Sequence, residues 1–146
     1  MKIVSSLAMV VAVGSIAGCA TSPEQITSVP LNATKHNASS IAQATLAPMG
    51  SQTDLWLFVS GVPIETSVPA RLYTYVYSGH CGGLGAKPVY ELNQSVSTEF
   101  YSPMPGFHLK KNVPVAYDTL RSGGYALVVK QAPADGGQDI FCGNLG

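Results

Sequence analysis

The sequence predicts an all-β domain, a β-sandwich of seven or eight strands. Short alternating or β-branched runs recur from residue 41 onward, and segments rich in Gly or Pro separate them. The chain contains 15 Gly and 10 Pro, only 11% of its residues are charged, and no apolar period of 3.6 residues occurs after the N-terminal segment. Many short strands with turn signals at this spacing are typical of a sandwich.

Seven runs of residues are predicted to be strands, and an eighth run is weaker. The seven lie at 41–47, 54–60, 70–77, 95–101, 113–120, 124–131 and 139–142, and the weaker one lies near 87–92. The segments 82–85 and 102–106 are predicted to be turns, because Gly and Pro interrupt strand pairing.

The N-terminal segment has the pattern of an export signal. Lys2 precedes an apolar run over 3–16 that is too short and too interrupted to span a bilayer comfortably. The run ends in IAGC at 16–19, which resembles the lipobox of bacterial lipoproteins, where a cysteine after small residues receives a diacylglycerol. We expect a lipoprotein signal peptide over 1–18 and lipidation of Cys19. An ordinary signal peptide with a chance cysteine is the alternative.

The rest of the chain is predicted to consist of a tether and a domain. Residues 19–40 are rich in Ser, Thr, Asn and Pro without a sustained period, so we expect a flexible tether. Residues 41–146 form the predicted sandwich. Ala20 stands where inner-membrane lipoproteins of enterobacteria carry Asp. We therefore expect a bacterial envelope protein, anchored by lipid to the outer membrane and facing the periplasm or the cell surface.

The charge balance speaks against nucleic acid as a partner. The chain has 8 basic and 8 acidic residues, and its longest basic run is the pair Lys110-Lys111. Nucleic-acid binding needs a clustered cationic surface. We expect a monomer whose partners are the membrane, through its lipid, and an unidentified protein or glycan.

The cysteine count predicts one disulfide. Three cysteines minus the lipidated one leave Cys81 and Cys142, which would share an oxidising compartment. Closing a loop of about 60 residues would stabilise the fold by roughly 4 kcal/mol. The alternative is two separate buried thiols.

A stripe of tyrosines lies in one predicted strand. Tyr73, Tyr75 and Tyr77 alternate with smaller residues, so their side chains share one face of the sheet. This face is either a binding surface or a structural face whose hydroxyls reach solvent or a partner.

Four segments carry a resemblance to a known family. Residues 44–50, 75–81, 124–130 and 139–145 resemble the chordin-type (CHRD) domain, which is itself similar to the copper–zinc superoxide dismutase sandwich. The resemblance covers residues 41–146 and implies a Greek-key sandwich that is immunoglobulin-like or superoxide dismutase-like. In the dismutases the equivalents of Cys81 and Cys142 form a disulfide.

The same resemblance implies that the dismutase metal site has lost its ligands. Tyr75 and Tyr77 stand at the positions of a copper-binding His-x-His pair, and Lys130 stands at another copper histidine. Asp139 replaces the arginine that guides superoxide, and residues 82–107 contain no His or Asp for zinc. The resemblance therefore implies no metal, no cofactor and no dismutase activity.

The remaining residues suggest no catalytic site. Of the histidines, His36 lies in the predicted tether, while His80 and His108 are 28 residues apart without ligands at metal-binding spacing. The chain has no G-x-S-x-G, P-loop or H-E-x-x-H motif. We expect no catalytic residue.

Three hypotheses about function follow. The first is a non-catalytic, envelope-anchored binding or structural module, with surface antigenicity possible from its location. The second is a degenerate superoxide dismutase-like oxidoreductase that keeps metal through other ligands. The third is a carbohydrate- or peptide-binding module that uses the tyrosine stripe together with Tyr90 and Trp56. If the resemblance holds, Tyr75, Tyr77 and Lys130 should converge.

Overall fold

A computed structural model of the chain describes residues 25–100 and 105–146. The predicted signal peptide over 1–18 and Cys19 lie outside these ranges. The described residues form nine strands and one α-helix, with short 3-10 helices at Lys35–Asn37 and Pro133–Asp135. The bounds are β1 Thr27–Ala33, β2 Ala42–Met49, β3 Gln52–Val59, β4 Leu72–His80, β5 Gly83–Glu91, β6 Glu99–Phe100, β7 Phe107–Val113, α1 Tyr117–Arg121, β8 Tyr125–Gln131 and β9 Asp139–Asn144.

The strands form one curled antiparallel sheet in the order β5-β4-β8-β9-β1-β2-β3-β7-β6. Strand β1 joins two halves of this sheet, because Thr27–Leu31 pair with β2 while Asn32 and Ala33 pair with β9. We call β2, β3, β7 and β6 the β3 half, and β9, β8, β4 and β5 the β4 half. The chain crosses between the halves after β3, after β5 and after β7.

A single core lies between the two halves. Strand β3 shows the underlying alternation, since Leu55, Leu57 and Val59 are buried while Trp56 and Phe58 lie on the outer face. The core cluster contains residues from both halves, including Leu72 and Val129 of the β4 half among many others. The all-β prediction is confirmed, with nine strands in the described residues instead of seven or eight.

The predicted tether over 19–40 is wrong for much of the segment that the structure describes. Residues Thr27–Ala33 form β1, which hydrogen-bonds to a strand on each side. Val29 and Leu31 point into the core, and the polar residues between them are exposed. The strand was missed because two inward apolar residues within a polar segment make a weak alternating pattern.

The strand predicted over 113–120 is also wrong. Strand β7 covers Phe107–Val113, and the chain then turns into helix Tyr117–Arg121, which buries Leu120. An inward-facing lysine, Lys111, interrupts the apolar alternation of β7. For this reason the real strand did not resemble one in sequence.

Two smaller corrections concern the β4–β5 and β5–β6 connections. The turn predicted at 82–85 is shorter, because β5 begins at Gly83 and only Cys81 and Gly82 make the turn. The predicted strand 95–101 is reduced to β6 in the described residues, although Leu72 of β4 donates its N–H to the Val96 carbonyl. The weak strand near 87–92 is present as part of β5.

No helix within residues 25–100 and 105–146 is both long and apolar enough to cross a membrane.

Candidate functional site

The tyrosine stripe lies on the outer face of the β4 half. Along β4, Leu72, Thr74 and Val76 are buried in the core, whereas the three tyrosines between and beyond them are half-buried. Tyr75 and Tyr77 therefore share the outer face, as strand periodicity predicts.

Strand register brings the predicted metal-site positions together. Tyr73 pairs with Lys130 across β4 and β8, and Lys130 pairs with Asp139 across β8 and β9. The Lys130 Nζ lies 3.0 Å from the Asp139 Oδ1. It also lies 5.6 Å from the ring centroid of Tyr75 and 5.8 Å from that of Tyr77. We call Tyr75, Tyr77, Lys130 and Asp139 the lysine–tyrosine cluster.

The electrostatics of this cluster favour the ammonium and the neutral phenol. Partial burial of Lys130 opposes its charge, but the hydrogen bond and negative charge of Asp139, together with smaller contributions from Tyr77, outweigh burial and raise the pKa of the lysine. Burial raises the pKa of Tyr75, and the Glu91 carboxylate adds to the increase while Lys130 partly offsets it. The cluster thus holds a cation over two aromatic rings, an arrangement stabilised by ring quadrupoles.

The donor set of the cluster does not suit copper or zinc. Proteins bind these ions mainly through imidazole and thiolate groups, and here an ammonium paired with a carboxylate lies over two phenol rings. Within the ranges that the structure covers, no three His, Cys, Asp or Glu side chains are grouped closely enough to hold a metal ion.

The predicted disulfide is present beside the cluster. Cys81, in the β4–β5 turn, is bonded to Cys142 of β9, 61 residues away in sequence. Cys142 pairs with Val128, which in turn pairs with Tyr75, so the bond and the cluster share three neighbouring strands. The Cys81 N–H also donates to the Asn144 side chain at 2.8 Å. The turn is therefore attached to β9 by both contacts.

The other aromatic residues of the predicted binding surface do not join the stripe. Tyr90 of β5 pairs with Val76 and is packed against the core. Trp56 belongs to the outer face of the β3 half. The aromatic residues that the sequence suggested as one binding surface are therefore divided between the two halves of the sheet.

Trp56 is part of a second aromatic surface. Its side chain is 41% exposed, and the Lys110 Nζ lies 5.3 Å from the ring centroid. Phe58 and His108 lie next to it with ring centroids 5.3 Å apart. Trp56, Phe58 and His108 line a shallow cavity of about 600 Å³ together with Pro105. We call this surface the Trp56 face.

Sequence reasoning missed the two other aromatic members of the Trp56 face. Phe58 follows Trp56 at the two-residue spacing that places both on one side of β3. His108 reaches the face only because β7 pairs with β3, opposite Phe58. The alternation of β3 could have indicated Phe58, but nothing in the sequence indicated the pairing of β7 with β3 that brings His108 to the face.

Comparison of the chain with protein families, curated proteins and solved structures finds no match. The fold and the site define its class: an all-β domain with a disulfide next to a lysine–tyrosine cluster.

Proposed function

We propose that the protein is a non-catalytic, lipid-anchored module of the bacterial envelope that binds or supports a partner. The observation that carries this proposal is the ion pair of Lys130 and Asp139 over the rings of Tyr75 and Tyr77. These are the four positions at which the resemblance to the dismutases would place metal ligands and the guiding arginine.

Each member of the cluster acts against the chemistry of a dismutase. An ammonium repels a metal cation, and its carboxylate partner would repel superoxide instead of attracting it. The lysine side chain occupies space next to both phenol rings. In the proposed function, polar contacts among the cluster residues take the place of bonds to a shared metal ion. The lipid on Cys19 anchors the module to the membrane.

Metal analysis of the purified protein tests this proposal. After incubation with copper or zinc and removal of free ions, we expect less than stoichiometric metal and no dismutation of superoxide above the free-ion background. Near-stoichiometric copper together with dismutation would contradict the proposal and support the degenerate oxidoreductase.

A variant with restored imidazoles tests the resemblance separately. Tyr75→His, Tyr77→His and Lys130→His, combined, should gain copper binding because three imidazoles would then converge from neighbouring strands. The matched control is Tyr73→His alone, which should gain none. Failure of the folded triple variant to bind copper would remove the resemblance from the argument.

The Trp56 face supports a second candidate function, the binding of a glycan or peptide. A half-exposed indole beside other rings offers a surface on which a sugar ring or a side chain can stack. Trp56 is the single tryptophan of the chain, so tryptophan fluorescence, excited where tyrosine absorbs little, reports this face alone. Titration with oligosaccharides and peptides should give saturable changes, lost in Phe58→Ala but kept in Tyr73→Ala of the β4 half. Absence of any saturable change would rule out these ligands at the face.

A further inference from the structure

A polar cavity of about 520 Å³ lies between β7 and the chain that follows β5. Its lining includes the side-chain amides of Gln52, Gln94 and Asn112, as well as Ser95 and Lys111. Strands β5 and β6–β7 are at the two ends of the curled sheet. The cavity therefore occupies the seam at which these ends approach each other.

Lys111 is an inward-facing lysine at the edge of this cavity. It pairs with Leu55 across β7 and β3, and its neighbours on the same side of β7, Leu109 and Val113, are core residues. Only 5% of Lys111 is exposed. Its Nζ donates a hydrogen bond to the backbone carbonyl of Ser95.

No acidic group pairs with Lys111 among the residues that the structure describes. The ion pairs found there are Lys110 with Asp54 and Lys130 with Asp139. Buried charges in proteins are normally paired, because removing an ion from water without compensation is costly. Burial lowers the pKa of Lys111 from 10.5 to about 8, so at about pH 7 the side chain is still mostly a cation.

We propose that this cavity is a binding site for a small polar ligand with one carboxylate, which pairs with the Lys111 ammonium. The amides of Gln52 and Gln94 can donate hydrogen bonds to the same ligand, whereas the Asn112 amide already donates to Asp54 at 3.3 Å. Lys110 of the lining lies over Trp56, and Glu91 of the lining pairs with Tyr75 across β4 and β5. The cavity therefore borders the Trp56 face and the lysine–tyrosine cluster, but the inference does not depend on the function proposed above.

The other charges of the lining favour a single negative charge on the ligand. Lys110 lines the cavity but has Asp54 3.4 Å from its Nζ. Glu91, the last residue of β5, also lines the cavity and would repel a dianion such as phosphate. Lys111 is therefore the one cation of the described lining that has no acidic partner.

A charged ligand and its neutral amide analogue provide the test. N-acetylglycine and N-acetylglycinamide differ in the carboxylate, and both are titrated into the protein at constant ionic strength while thermal unfolding is followed. We expect N-acetylglycine to raise the midpoint by roughly 10 °C at about 100-fold excess over Kd, with the shift growing with the logarithm of its concentration above Kd. The amide should have no such effect.

Two variants show whether Lys111 is responsible. Lys111→Met should lose the response to N-acetylglycine, and Lys111→Gln provides a second uncharged side chain in case methionine closes the cavity. Lys87→Met, at an exposed position of β5, should respond like the original protein. An equal response in the Lys111 variants, or saturable binding of inorganic phosphate without binding of the carboxylate, would overturn the proposal.

Proton uptake gives a readout that a structural role would not produce. The ligand should raise the pKa of Lys111, so calorimetry at about pH 9 in two buffers of different ionisation enthalpy should detect protons taken up on binding. The affinity should also fall as pH rises above about 8, since the free side chain loses its charge there. Binding without either pH effect would contradict the pairing of the carboxylate with Lys111.

Discussion

The pKa values of Lys130 and Lys111 are shifted in opposite directions because the two side chains lie in different environments. Lys130 lies on an outer face with a carboxylate 3.0 Å away, and its pKa is raised. Lys111 faces the interior without an acidic partner in the described chain, and burial lowers its pKa to about 8. At neutral pH the charge of Lys130 therefore contributes to the stability of the folded state, whereas the charge of Lys111 lowers it.

Replacing Lys111 with methionine should therefore stabilise the ligand-free protein. The folded pKa of about 8 lies below the ordinary lysine pKa of 10.5, so the unfolded state binds more protons between these values and stability rises with pH across that window. At about pH 7 we expect Lys111→Met to increase the free energy of unfolding by roughly 1–3 kcal/mol. Urea unfolding measures this.

The pH dependence distinguishes this electrostatic effect from better packing. The gain from Lys111→Met should shrink as pH rises from about 8 to 10.5 and beyond, because only above 10.5 is the lysine mostly neutral in both states. Lys87→Met should change stability little at either pH, because Lys87 is exposed. A gain that is the same at both ends of the window would point to packing instead.

At the scale of elements, β1 decides how the sheet is closed. Its first five residues pair with β2 and its last two pair with β9, so both halves of the sheet depend on it. Removing such a strand would leave backbone groups of two neighbouring strands without partners, which is costly when they are buried.

Truncation of Leu31 tests whether β1 belongs to the core. Leu31 is buried in the core cluster, and Leu31→Ala should lower the free energy of unfolding by about 2–5 kcal/mol because it removes apolar contacts and leaves a cavity. Asn32→Ala, at the adjacent exposed position, should cost less than about 1 kcal/mol. Similar small effects at both positions would contradict a structural role for β1.

The disulfide should stabilise the β4–β5 turn and the last strand together. The bond closes a loop across 61 positions, so Cys81→Ala with Cys142→Ala should lower the free energy of unfolding by about 4 kcal/mol. Chemical unfolding with and without reductant measures the same quantity in the original protein. Reductant should leave the double variant unchanged, and a large further loss there would refute the assignment.

At the scale of the whole molecule, the length of chain between Cys19 and the first strand limits how far apart they can lie. Seven positions separate Cys19 from Ile26, the residue before β1. A chain of that length spans at most about 25 Å. If Cys19 carries lipid, the domain would be held near the membrane surface instead of at the end of a long tether.

Cys19→Ala should release the protein from the membrane. Without the thiol no diacylglycerol can be attached, so we expect loss of metabolic labelling with palmitate and loss of the outer-membrane fraction. Cys81→Ala, which leaves Cys19 in place, should still be labelled. Labelled protein in the membrane fraction of the Cys19 variant would refute lipidation at this position.

The sequence by itself determined the features that depend on local pattern or on counting. Alternation in 54–60 and 70–77 correctly predicted strands, and the cysteine count correctly paired Cys81 with Cys142. The convergence of Tyr75, Tyr77 and Lys130 also followed, from the family resemblance combined with strand periodicity. The strands and the disulfide needed no knowledge of which strands lie side by side, and for the three converging residues the resemblance supplied that neighbourhood.

Only the tertiary structure decided the features that depend on pairing between distant segments. Thr27–Ala33 is a strand because two strands from elsewhere in the chain bind it on both sides. The curl of the sheet brings β7 near the chain that follows β5. Because of this approach, Lys111, which in sequence is one of two adjacent basic residues, is a buried cation beside a cavity. Local periodicity shows which side a residue takes along a strand, whereas its environment is set by contacts that are remote in sequence.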